Sequence, residues 1–144
     1  MNAMNRNAIN AYSQVSVDGS VAVASPHMLI SMLFDGALHS IAAARGHMQR
    51  KEIAAKGMAI SRAISIIDDG LRASLDMKAG GDLAEKLEAI YEYMSFRLVV
   101  ANLHNETETL DEVSKLLSEI KDAWIQIDPK KAQALQSSQS KPIQ

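Results

Sequence analysis

Between residues 87 and 103 the chain carries more large apolar side chains than one buried stripe can use. Leu87, Ile90, Met94, Leu98 and Ala101 recur at helical spacing and predict a core-facing stripe. Tyr93, Phe96, Val100 and Leu103 form a second stripe, displaced by about one residue or roughly 100° around the helix, where a surface helix is normally polar. Either the helix lies inside a larger core or one of its faces is kept for a partner.

The remaining pattern is also helical. Ser25-Pro26 is a start signal, a serine able to cap and a proline at the first helical position, and it predicts a helix over about 26–48. One of its faces holds Leu29, Leu33, Gly36, Ala37 and Ala44, and another holds Ile30, Phe34, Leu38 and Ile41, so this helix too is apolar on more than one side. Gln49-Arg50-Lys51-Glu52 reads as a connection, after which Ile60, Ile64, Ile67, Leu71 and Leu75 form a core seam. Gly80-Gly81 is a break, with Asp82 as the expected cap of a third helix over 83–103. Thr109-Leu110-Asp111-Glu112 matches a capping box and predicts a fourth helix, whose seam is Leu110, Val113, Leu117, Ile120, Trp124 and Ile127. Asp128-Pro129 ends it.

Four helices of about 30 Å joined by short connections predict an all-α, antiparallel up-down four-helix bundle over residues 25–128. Residues 1–24, with only Ile9, Tyr12, Val15 and Val17 as larger apolar side chains, read as an arm. Residues 129–144 read as a polar, disordered tail with at most one extra helical turn.

Composition excludes several kinds of chemistry. The chain has no cysteine, hence no disulfide, thiolate metal site or thiol catalysis, and a formal net charge of −2, without the basic footprint of a nucleic-acid binder. No secretory leader pattern opens it, and no run of eighteen or more apolar residues suggests stable membrane insertion. None of His27, His39, His47 and His104 pairs with another at metal-ligating helical spacing, and Asp35 with His39 reads as a surface contact rather than a dyad. Glu85, Glu88 and Glu92 read as a solvated face, and Gly80-Gly81 lacks the lysine and hydroxyl of a phosphate loop. Binding is therefore expected rather than catalysis, with no metal and no cofactor. The eight methionines suit either core filling or an adaptable docking surface.

A set of segments in order resembles a known family. These are Ala11-Tyr12; Ala24-Ser25-Pro26-His27-Met28-Leu29-Ile30 with Met32-Leu33-Phe34-Asp35-Gly36-Ala37; Gly80-Gly81; Tyr91-Glu92-Tyr93-Met94 with Arg97-Leu98 and Ala101-Asn102; and Leu110-Asp111-Glu112-Val113 with Trp124. Over roughly residues 9–125 they resemble the FliS family of flagellar export chaperones, with Ile90 standing where leucine is expected. The resemblance implies a non-catalytic, cytosolic chaperone, monomer or weak dimer. Such a protein binds the disordered C-terminal segment of flagellin, prevents premature polymerisation and helps delivery to an export-gate component of the flagellar type III apparatus. With such a client, the surplus stripe Tyr93, Phe96, Val100 and Leu103 reads as a client groove and Ile30, Phe34 and Leu38 as a second patch, while the resemblance adds Asn102 for backbone hydrogen bonds and a covering role for the arm at Ile9 and Tyr12. A self-associating bundle, or a chaperone for another secreted helical protein, remains the alternative.

Overall fold

A computed structural model describes residues 25–127 and Leu135, and among them it contains four α-helices and no strand. Helix α1 is Pro26–Gln49 and α2 is Ile53–Ser65, which runs directly into a π-helical segment, Ile66–Arg72. Helix α3 is Met77–His104 and α4 is Thr107–Gln126. Each helix packs on the next, and α4 returns to α1, closing the bundle.

Ties along α1 and α4 fix their opposite directions. Near the start of α1, His27 Nε2–H donates to the carbonyl of Trp124 (2.7 Å), and the Trp124 indole N–H donates back to the carbonyl of His27 (3.0 Å). Their rings stack with centroids 4.8 Å apart. Further along, Asp35 pairs with Lys121, and at the far end Arg45 makes a two-pronged ion pair with Asp111 at 2.7 and 3.2 Å. Because partner numbers fall on α4 as they rise on α1, the two helices are antiparallel.

One local start signal acts as expected and two do not. The Ser25 hydroxyl accepts from the Met28 N–H at 3.1 Å, capping α1. Asp82 does not cap α3; Asp76 does, accepting from the N–H groups of Lys78 and Ala79 at 3.1 and 2.9 Å. The helix thus starts five residues before Asp82, and Gly81, at φ 57°, ψ −136°, kinks it in a conformation that side chains resist. Nor do Thr109 and Glu112 form a capping box. Asn105 closes α3 in the left-handed region (φ 55°), Glu106 is already the N-cap of α4, and both expected cap residues lie inside the helix. Their side chains are engaged elsewhere: Thr109 Oγ donates to Glu106 at 2.7 Å, and Glu112 is taken by Tyr93 and Arg97.

The core uses every predicted seam. Ile60, Ile67 and Leu71, then Met94, Leu98 and Ala101, then Leu110, Val113, Leu117 and Trp124 are buried, and Ile64, Leu75, Leu87, Ile90, Ile120 and Ile127 pack against them. In α1 both apolar faces are consumed, because α2, the π segment and α4 surround it. Ile30, Leu33, Phe34, Ala37, Ile41 and Ala44 are all buried. Helix α1 is long and apolar enough to cross a membrane by length and composition alone, but here that apolar surface forms the centre of the bundle. Gly70 lies where the π segment meets α1, and a Cβ there would sit 3.2 Å from Leu33 Cδ1, so a side chain would have to displace that leucine slightly.

Candidate functional site

On α3 the second stripe lies away from the buried core residues. Phe96 is 63% exposed and Leu103 is 72% exposed. Val99, which the spacing argument passed over, is 52% exposed between them. Tyr93 is exposed and Val100 half-buried, so the stripe expected at Tyr93, Phe96, Val100 and Leu103 does form one outward apolar face. Burying four large side chains of this kind would yield several kcal/mol, on the order of 1.5–3 kcal/mol each. Nothing within the described residues uses that free energy.

Polar groups hold both edges of the face. Toward α4, the Tyr93 hydroxyl donates to Glu112 Oε2 at 2.5 Å, Arg97 Nε donates to Glu112 Oε1 at 3.0 Å, and Arg97 reaches Thr109 at 3.4 Å. The Tyr93 hydrogen bond and then the Arg97 guanidinium hold the Glu112 carboxyl below its usual range, and the same hydrogen bond raises the Tyr93 phenol. The tyrosine ring is thus steered by a carboxylate that stays ionised.

Toward α2, the ammonium of buried Lys56 donates to the carbonyl of Asn102 at 2.9 Å and to Asn105 Oδ1 at 2.5 Å. A cation at the C-terminus of α3 meets orphan carbonyls and the negative end of the helix dipole, which compensates its desolvation. The clamp fixes the end of α3 at the level of Leu103. It also engages the Asn102 carbonyl, and the residue itself is half-exposed beside the apolar face. Ile53 and Met58 on α2 are exposed as well, adding apolar area on the helix that carries the lysine. No sequence spacing pointed to Lys56, since a lone lysine in a helix normally reads as solvent-facing.

The second expected patch is not an open surface. Phe34 is fully buried, with its ring 6.4 Å from that of Tyr91, Ile30 is buried, and Leu38 is half-buried against the core. The physical reason is the position of α1, whose neighbours cover both of its apolar faces. Ile9 and Tyr12 lie outside the described residues. Asp35 and His39 do not meet, since Asp35 is turned to Lys121. The acidic strip on α3 is partly engaged: Arg72 lies 3.6 Å from Glu88 and 4.0 Å from Glu92.

Among the described residues the bundle buries its seams and still displays an apolar helix face between polar edges, an arrangement suited to packing against another polypeptide. Comparison with known proteins gives the family. Residues 8–131 match the family described as flagellar protein FliS. The chain is 51% identical over 122 residues to the flagellar secretion chaperone FliS of Salmonella typhimurium, an alignment covering 85% of this chain and 90% of that one. It is 50% identical to the flagellar secretion chaperone FliSB of Pseudomonas aeruginosa over 81% of this chain and 92% of that one. With the flagellar secretion chaperone FliS of Bacillus subtilis the identity is 31%, over 84% of this chain and 86% of the relative. The chain belongs to the FliS family, which is a family of chaperones and not of enzymes.

Proposed function

We propose that this chain is a cytosolic export chaperone that binds the disordered C-terminal segment of flagellin, keeps it from polymerising, and presents it to a component of the flagellar type III export gate. The outward apolar face of α3 carries this reading. Filament subunits assemble through amphipathic helices, and such a helix can be masked by laying its apolar side against a ready apolar surface. Ordering a floppy client segment costs about 2–5 kcal/mol, which an extended contact of 1,000 Å² or more offsets. Phe96, Val99 and Leu103 supply the centre of the contact, Tyr93 and Val100 its flank, and the Asn102 amide a polar contact at one edge. The relatives' names, which speak of flagellar secretion chaperones, support the same reading. Capture of flagellin but not of flagellin lacking its C-terminal segment, by the purified chain, tests it. Equal capture of both, or of neither, overturns it. A concentration-dependent dimer that buries Phe96 would instead assign the face to self-association.

A further inference from the structure

At the opposite end of α3 from Leu103 lies a second apolar feature, a cavity of about 120 Å³. Ile30, Leu71, Leu87, Tyr91 and Trp124 line it, and so does Leu135. Leu135 is buried, and its carbonyl accepts a 2.7 Å hydrogen bond from the backbone N–H of Asp76, the residue that caps α3. It sits directly on Gly80, where a Cβ would stand 3.1 Å from Leu135 Cδ2 and 3.6 Å from its Cα. The next residue is Gly81, the kink of α3. Leu135 lies beyond residue 131, where the family match ends.

Two observations mark this as a site that is occupied but not completed. The lining is almost wholly apolar, yet space remains around the leucine. Tyr91 is buried and lines the same cavity, and its hydroxyl has no hydrogen-bond partner among the described residues. Buried phenols normally find an acceptor. A segment that brought both an apolar side chain and a carbonyl could fill the space and satisfy Tyr91, which Leu135, with its carbonyl committed to Asp76, does not.

We propose that this cavity is a docking site for one leucine-type side chain on a short peptide segment, that Leu135 occupies it in cis as a plug, and that an apolar segment of the client competes for it. The last element rests on the proposed function; the first two do not. Release of Leu135 frees the Asp76 N–H and removes the packing on Gly80, so the first turn of α3 can move about the Gly81 kink.

The test uses the full chain carrying Leu135→Asp, with Leu135→Ala as a second variant should the aspartate impair folding. Either variant is expected to accelerate hydrogen exchange at the Asp76 amide at least tenfold and to shift Trp124 fluorescence to longer wavelength, with the helical melting transition kept. A synthetic peptide of residues 128–144 added to the variant should reverse both signals saturably, and the same peptide carrying Leu135→Asp should not. Unchanged Asp76 exchange, or equal action of the two peptides, overturns the docking site. In the wild-type chain, saturation with the flagellin C-terminal segment should accelerate Asp76 exchange to the variant's rate. Binding without that change overturns the competition alone, and absence of any flagellin binding overturns the proposed function and the competition while the peptide result still decides the plug.

Discussion

Helices α1 and α3 carry the same signature in sequence, apolar residues on two faces, and the fold uses them differently. Helix α1 is packed by α2, the π segment and α4, so Ile30 and Phe34 on one face and Leu33 and Ala37 on the other are all buried. Helix α3 also meets α2, the π segment and α4, yet Phe96, Val99 and Leu103 are left outside. Surplus hydrophobicity in a sequence therefore does not identify a binding face; how much of the helix circumference the neighbours cover decides it. For a bundle helix that coverage depends on tertiary arrangement, which no periodicity encodes.

The contrast predicts unequal responses to the same truncation. Phe34→Ala should cost about 3–5 kcal/mol, read as a large fall in the denaturant midpoint. Phe96→Ala should stay within about 0.5 kcal/mol of the parent. Equal losses would place both rings in the core and remove the distinction.

The clamp at the end of α3 comes next in size. Lys56→Ala removes the donor to Asn102 and Asn105 and should cost about 1–3 kcal/mol, with faster amide exchange in the last turn of α3. Stability unchanged by this substitution would mean that water replaces the ammonium without loss.

Burial raises the Tyr91 phenol well above its ordinary value. A group whose folded pKa is raised contributes stability that is present below its unfolded pKa and is lost as pH rises beyond it, so the bundle should weaken progressively above about pH 10. Tyr91→Phe should remove that alkaline loss and leave neutral stability equal or higher, because it deletes a buried hydroxyl without a partner among the described residues. An unchanged alkaline limb would refute it.

The smallest effect concerns the edge of the α3 face. Glu112, Asp111 and Glu52 are held below the usual carboxylate range, chiefly by hydrogen bonds from Tyr93, Arg45 and His47 respectively. Depressed carboxylates contribute stability above their unfolded pKa and lose it as pH falls through the folded values. Glu112→Gln should therefore flatten the acid limb of the stability profile slightly, while a limb unchanged from the parent's would show that this edge contributes nothing to folding.

Much of the fold was legible because it depends on near-neighbour rules. The Ser25 cap, the seams of α2, α3 and α4, and the helix count all follow from spacing. Two helix starts were misread for one reason: Asp82 and Thr109 look like caps locally, but Asp76 and Glu106 begin the helices earlier, and long-range partners claim the Thr109 and Glu112 side chains. The π segment left no signal beyond a Gly70 that a seam should avoid. Of the expected surface, Tyr93, Phe96, Val100 and Leu103 share an outward face, Val99 was hidden by adjacency to Val100, and Ile30 and Phe34 could be placed only by knowing what surrounds α1. Lys56 and Leu135 act through contacts far away in sequence, where spacing rules have no reach.

The central claim is that the outward face of α3 binds a client while the core stands without it. The direct measurement is calorimetric titration of the Phe96→Asp, Leu103→Asp double variant with the flagellin C-terminal segment, alongside its thermal melt. The account predicts at least a thirtyfold loss of affinity, the roughly 2 kcal/mol or more that a binding hot spot carries, with the melting temperature of the parent. Parent-like affinity, or a collapsed melting transition, would contradict it.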